Sequence, residues 1–451
     1  MEPRHRLVPP TASPRLRRLA RELADFVDAG LLDASTAERL LAHAAARRSG
    51  ARATTLLAVA GSALVGLGAL LLVAHNWSEL PRLARAGLAV AIAVVAHGAA
   101  AFAVARRAGS AAWCEGTAIA AVLSIGASTA LVAQTYQLQV ELSSLLAAWT
   151  LLAVPLVYAL DARAASALHA LGCGAFLAAT LDRDAAHPAF WALLAPGVPF
   201  AWRLHAKRDR ALRSAVVAWA GIPVVAFGAA ASLDGREGPL LAGAVLLAGG
   251  LYGFGSRVDR SGAPSFAALP ARAFGKLAIA ATALALSGAD DAWSALARGW
   301  TTLDAAAVPA LAIGAGCAVV VARELFAEAA GRALGTGIDA TRATALALPV
   351  ALAVAFAAGA ATGDARAATL VASLYALGLG LVATLDGARA GALARANGGM
   401  LVAALAVFAR FVDDDLSFVA RGVAFIATGA AFLALNRRVA RAQRVAQEVA
   451  R

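Results

Sequence analysis

Apolar residues in this chain do not alternate with polar ones. They arrive in blocks of about 15 to 23, close to the roughly 20 residues with which an α-helix crosses a hydrocarbon core of about 30 Å. The blocks predict spans near 54–74, 83–105, 112–133, 142–160, 164–180, 189–202 and 212–232, then near 239–255, 274–288, 305–321, 344–361, 367–385, 398–412 and 418–435. The sixth and ninth are short. The sixth also carries Pro196 and Pro199, each of which removes a backbone donor and breaks or kinks a helix unless neighbours satisfy the freed carbonyls. The expected fold is therefore all-α, a polytopic transmembrane bundle of about fourteen helices, with twelve as the alternative.

Composition agrees with a bilayer setting. Of 451 residues 61% are hydrophobic and 15% charged, and mean hydropathy is +0.71; soluble domains run at about 45–50% apolar and about 25% charged. Abundant Ala and Gly suit close helix packing in lipid. Spacings such as Ser62/Gly66 and Gly249/Gly253 fit that use. The three cysteines, Cys114, Cys173 and Cys317, fall within apolar blocks, where a lone thiol acts as a small hydrophobe, and no disulfide framework or CxxC metal site is available.

The net charge of +12 is informative through its distribution. Basic residues cluster in alternate loops, without interleaved aromatics or a zinc-finger or helix-turn-helix pattern, so no nucleic-acid partner is expected. One set of loops carries Arg106 and Arg107; Arg163; Arg203, Lys207, Arg208, Arg210 and Arg213; Arg257, Arg260, Arg272 and Lys276; Arg323, Arg332 and Arg342; and Arg389 and Arg395. The segment before the first span and the tail from Arg437 belong to that set and are arginine-rich. By the positive-inside rule this places both termini in the cytoplasm of a bacterial inner membrane and makes the span number even.

The first apolar block begins at residue 54 and is too long for the core of a cleavable signal, so none is expected. Ahead of it, residues 1–14 read as disordered. Leu16, Leu19, Leu23, Phe26 and Val27 then give one apolar helical face that Gly30 stops, and Ser35 with Glu38 is spaced as a capping box for a second helix carrying Leu40, Leu41 and Ala44. This short cytoplasmic amphipathic hairpin reads as a cap that fixes topology, or as a docking module or anchor on anionic lipid. Four regions follow: 1–53, the cytoplasmic segment; 54–180, a first membrane domain; 181–436, further transmembrane helices; and 437–451, a basic cytoplasmic tail.

Several motifs in the first third carry a resemblance. ELADFVDAGLL from Glu22, LLLVAHNW from Leu70, AQTYQL from Ala133 and the span from Trp149 to Tyr158 resemble the bacterial membrane-protein family named domain of unknown function 2157, over about residues 15–170. The stretch ARFVDDDLSFVARGVAFI from Ala409 resembles the tail of longer relatives more loosely. The resemblance implies a membrane location and a helical fold. It also implies a membrane-protein partner carrying a GDYxxLxY motif. Where relatives place a histidine after the tyrosine, this chain has Gln137.

Polar groups at membrane depth are costly and tend to mark function. His97, His169 and Glu115 fall inside spans. A histidine donating to a carbonyl across a helix interface is the plain reading, and a proton relay the functional one. A more suggestive set lies at the outer ends of the first and third spans. His75, Asn76 and Trp77 with Glu79 would share a layer with Gln134, Tyr136, Gln137, Gln139 and Glu141, either lining a polar mouth or anchoring in the aromatic belt. Asp182 and Asp184, Asp290 and Asp291, and Asp413, Asp414 and Asp415 read as solvated loop carboxylates rather than a cation site. Gly335, Gly337 and Ala340 form GxGxxA but follow no strand, so the dinucleotide reading fails. No metal, cofactor or catalytic set is expected. The leading expectation is a non-catalytic inner-membrane component that assembles with a partner. A transporter or flippase of a small polar or lipid-linked substrate is the alternative, and a membrane enzyme ranks behind both.

Overall fold

A computed structural model describes residues 14–41, 79–182, 186–207, 214–261, 265–288, 290–296, 298, 300, 305–333 and 339–411. The expected spans at 54–74 and 418–435, the tail, and the residues His75, Asn76, Trp77, Asp184, Gly335, Gly337 and Asp413 to Asp415 lie outside them. The chain divides into two compact units, Met1–Arg85 and Ala86–Arg451.

In the first unit, α1 (Pro14–Asp28) buries Ala20 and Leu23, while Phe26 is half exposed, so its packed face is rotated from the one expected. It ends at Gly30, whose φ of +68° suits a residue without Cβ; the Leu31 N–H donates to the Phe26 carbonyl and the Gly30 N–H to that of Val27, both at 3.0 Å. That pair of bonds is a Schellman stop. Helix α2 (34–41) starts two residues earlier than the Ser35–Glu38 box implied. Its cap is Asp33, whose carbonyl accepts from the Thr36 and Ala37 N–H groups and whose carboxylate accepts from the Ser35 hydroxyl. That hydroxyl is the main reason the Asp33 carboxyl titrates below its ordinary value.

The second unit is all-helical among the described residues: α3 (Arg82–Arg106, entered from the first unit), α4 (Ala111–Thr135), α5 (Leu142–Ala159), α6 (Arg163–Ala178), α7 (Ala186–Leu194), α8 (Val198–Ala206), α9 (Ala215–Ala231), α10 (Glu237–Ser261), α11 (Ala268–Ser287), α12 (Asp290–Ala295), α13 (Val308–Ala333), α14 (Ala340–Leu346), α15 (Leu348–Thr362), α16 (Ala365–Arg389) and α17 (Leu393–Phe411). Each expected span from 83–105 through 398–412 coincides with one helix or a broken pair. Among the described residues, helices α3, α4, α5, α10, α11, α13 and α16 are long and apolar enough to cross a membrane, and α14 with α15, bent by 51° at their junction, is so only when the two are taken together. Helices α9 and α17 are shorter but apolar.

The differences from expectation lie at helix ends. The ninth block looked short because Arg272 interrupted it, yet α11 runs through Arg272 for 20 residues. Likewise α13 continues past Val321 to Ala333. A charged side chain ends an apolar run without ending a helix, because the backbone bonds do not depend on it. The sixth block is the opposite case: α7 and α8 are separated by a 3-10 turn at Ala195–Gly197, where Pro196 stands.

Several apolar clusters organise the unit. Val122, Val157, Phe200 and Leu204, continued by Cys173, Leu177 and Phe190, join α4 to α9; Tyr252, Ile279, Ala283, Leu346, Leu352 and Ala376 join α10, α11 and α14 to α16. Helix α9 touches α10, α11 and α13 and so links the groups. Glycines set the closest approaches. A Cβ on Gly255 would lie 2.5 Å from the Arg272 nitrogen on α11, and one on Gly380 would lie 2.6 Å from the Ala403 nitrogen on α17. Gly249 and Gly253 face Val321 and Val320 on α13, a packing role as expected.

Candidate functional site

The break between α7 and α8 is the centre of the most developed site. Proline at 196 cannot donate, so irregular backbone occurs inside an apolar segment, which a membrane protein tolerates only where protein or a cavity satisfies it. Two side chains meet the break here. The Tyr158 hydroxyl donates to the Pro196 carbonyl at 2.5 Å, and buried His169 packs its ring against Gly197, where a Cβ would come within 3.1 Å of the imidazole. The other side of that ring, Nδ1, is 3.0 Å from the Thr150 carbonyl on α5, which can only accept, so Nδ1 carries the proton. Nε2 lies 3.9 Å from the Cys173 sulfur.

Beside this break lies a cavity of about 370 Å³. Ser166 and His169 of α6, Leu194, Gly197 and Val198 at the break, and Gly221 of α9 form one wall; Leu247 and Leu251 of α10 with Ile313 and Cys317 of α13 form the other. A second cavity of about 370 Å³ shares Ile222, Leu247, Leu251 and Ile313 with it and extends to Phe274 and Leu277 of α11. Both lie between the two helix groups, and their size falls within the roughly 300–1,000 Å³ of small-molecule sites.

The helix ends below the break carry a polar network. Glu115 of α4 accepts from the Arg163 and Ala164 N–H groups at 3.0 and 2.8 Å, capping α6 from another helix where the backbone has free donors. Asp161 sits at φ +49°, a left-handed position without glycine, and pairs with Arg163 at 3.0 Å and with Arg203 of α8. The Arg203 guanidinium lies 5.0 Å from the Phe200 ring centre. At the same end, reached through His205 and Phe254, whose ring centres are 6.3 Å apart, lies a second network. Glu324 and Glu328, one turn apart on α13, both pair with Arg342 of α14; Arg257 of α10 stands 3.8 Å from Glu324. Glu324 and Arg342 are 3% and 2% exposed. Asp386 of α16 accepts from Thr341 and pairs with Arg395 of α17, both at 2.8 Å.

The arrangement separates the sequence-level candidates. Glu115 is a helix cap. His97 bonds the Ala93 carbonyl of its own helix at 2.8 Å, and His169 bonds the Thr150 carbonyl of α5 while packing against Gly197 of the break. Gln134 lies in the last turn of α4, and Tyr136, Gln137 and Glu141 follow it between α4 and α5, at the end of α4 opposite Glu115. There the Leu138 N–H donates to the Ala133 carbonyl at 2.8 Å, Gln137 is left-handed at φ +53°, Tyr136 is 47% exposed, and Glu141 accepts from Ser143. These residues line neither cavity described above. Of the loop carboxylates, Asp290 accepts from Thr369 of α16. Sequence reading missed Glu324, Glu328 and Arg342 because it ended the tenth span at Val321. The available signal was two glutamates at i and i+4 continuing an apolar helix.

Residues 24–180 match the family described as predicted membrane protein, DUF2157. No curated protein and no solved structure matches the chain. The DUF2157 match bears out the resemblance expected from the N-terminal motifs, and with the apolar helices it makes this a membrane protein. The DUF2157 segment contains Glu115, Tyr158, Asp161, Arg163 and His169. It ends before α7, so the broken helix and the far wall of the cavity lie beyond it.

Proposed function

We propose that this chain is a multi-pass protein of a bacterial inner membrane, with fourteen spans and both termini cytoplasmic, that acts without catalysis by admitting a lipid-like molecule between its two helix groups. The observation that carries the reading is the broken helix α7–α8 lining an apolar cavity against α9, α10 and α13. Discontinuous helices at membrane depth recur where transported molecules bind. The alkyl walls here suit a hydrocarbon chain, and the His169 and Ser166 side chains are the polar handles on that wall. The proposed sidedness is supported by Arg163, Arg203, Arg257, Arg342 and Arg395 gathering at one end of the helices.

Gly221 offers a clean test. A Cβ there meets nothing within 4 Å, so Gly221→Leu would fill the cavity without a backbone clash. In proteoliposomes carrying a fluorescent NBD-phospholipid, the full-length protein should speed exchange of the probe between leaflets, read by dithionite quenching, and Gly221→Leu should return the rate towards that of empty vesicles. Equal rates for a folded Gly221→Leu and wild type, or wild type equal to empty vesicles, would refute the reading.

One observation favours a second reading, assembly with a membrane-protein partner of the GDYxxLxY type. The turn from Gln134 to Glu141 holds a non-glycine residue in the left-handed region beside a half-exposed tyrosine, and such strain tends to persist where it serves contact. Alanine at Gln134 and Tyr136 should then lower partner co-purification at unchanged membrane level. Retained co-purification would remove the site.

A further inference from the structure

The two cavities between the helix groups lie end to end. On passing from the one beside the broken helix to the other, the lining residues move up α9, from Val217 to Leu233, and down α10 and α13, from Leu251 to Leu240 and from Cys317 to Ala310. Three helices thus agree on one axis. Along α9 the lining covers about 24 Å at 1.5 Å per residue, against a hydrocarbon core of about 30 Å. The first cavity adjoins the arginine-bearing helix ends, since Ser166 and Ala201 on its wall stand within a turn of Arg163 and Arg203. Ile222 of α9, Leu247 and Leu251 of α10 and Ile313 of α13 border both cavities, and all four are half-buried. Each cavity has polar lining of its own, Ser166 and His169 in the first and Thr282 in the second, but the shared level has alkyl side chains alone.

The two sides of this waist differ in freedom. Helices α10 and α13 are closely packed: a Cβ on Gly250 would lie 2.5 Å from that of Cys317, and one on Gly249 would lie 2.9 Å from a Val321 methyl. Leu247, Leu251 and Ile313 therefore stand on a fixed pair. Helix α9 is different. Pro223 lies inside it, next to Ile222, and has no N–H to give the Trp219 carbonyl. Gly221, on the other side of Ile222, meets nothing within 4 Å where its Cβ would be. Bending α9 here costs no backbone bond at that step. We propose that Ile222, Leu247, Leu251 and Ile313 form an aliphatic gate between the two cavities, which α9 opens by bending at Pro223 and which sets what crosses and how fast. The gate rests on the lipid passage proposed for these cavities. An acyl chain slides through a ring of alkyl groups at little cost, whereas a phosphate headgroup must shed water there with no polar partner in exchange. The headgroup's transit of the gate is thus the slowest step of the passage.

The test is exchange of the NBD-phospholipid in proteoliposomes of the full-length protein, read by dithionite quenching. Ile222→Ser and Ile313→Ser, made separately, each place a hydroxyl at the gate and should speed exchange several-fold over wild type. Val225→Ser puts the same hydroxyl on the first cavity's wall away from the gate and should speed it far less; Val319→Ser, on the exposed face of α13, should leave it unchanged. Pro223→Ala separates bending from space. The proline ring lines the second cavity, so added room alone predicts a faster rate, whereas restoring the backbone donor should slow it. Gate variants that fold and run no faster than wild type, Val225→Ser as fast as they are, or a faster Pro223→Ala would overturn the gate and leave the passage standing. Wild type equal to empty vesicles would refute the passage and the gate together.

Discussion

Arg342 makes the sharpest demand on the structure. It is 2% exposed and bridges two carboxylates, of which Glu324 is 3% and Glu328 10% exposed. Replacing it by methionine keeps most of the volume but takes from two buried acidic groups the guanidinium they share, while Arg257 still stands 3.8 Å from Glu324. Removing one partner of a buried ion pair costs about 3–5 kcal/mol, whereas replacing the whole set by neutral groups of similar size is often neutral or stabilising. Arg342→Met should therefore destabilise the protein by about 3–5 kcal/mol. Adding Glu324→Gln and Glu328→Gln in the same chain should recover most of that loss. The assay is denaturant or SDS titration of the purified full-length protein in bicelles, followed by tryptophan fluorescence, with the single, double and triple variants closed into a cycle. A loss below about 1 kcal/mol for Arg342→Met would mean the site is wet, since surface changes fall in that range. A triple variant as unstable as the single one would show that packing, not charge, is what Arg342 provides.

Three further outcomes follow from particular positions. Gly380→Ala should cost about 1–3 kcal/mol through forced separation of α16 from α17, because its Cβ would meet the Ala403 nitrogen at 2.6 Å. Gly378→Ala, two residues away with nothing within 4 Å, should stabilise by up to about 1 kcal/mol through helix propensity; equal effects in the same unfolding titration would contradict the α16–α17 packing. Gln137→Gly should relieve the left-handed strain and gain up to about 1 kcal/mol, and a loss would show that the glutamine side chain holds the turn. Topology reporters fused after Asp184 and after Asp209 should report opposite sides of the membrane; the same side for both would remove α7–α8 as a crossing.

Helix positions were legible because they depend on local properties. A run of apolar residues must bury itself in lipid, and its backbone can satisfy its own bonds only as a helix. Hence the expected blocks at 83–105, 112–133 and 142–160 differ by only a residue or two from α3, α4 and α5. Pro196 likewise announced a break, and the motifs from Glu22, Leu70 and Ala133 announced the DUF2157 match. What a charged residue does could not be read in this way. Arg272, Glu324 and Glu328 looked like loop residues by hydropathy, yet they extend α11 and α13. Whether a charge is solvated or buried depends on a partner brought by another helix, and Arg342 lies 18 residues beyond Glu324. The cavities belong to the same class: the wall beside His169 is built from α6 to α9 on one side and α10 and α13 on the other. Sequence alone determined which segments form apolar helices, because that is a property of each segment and its solvent. Only the tertiary structure decided which polar groups face each other and where space is left between helices, because packing joins positions whose separation along the chain carries no record of it.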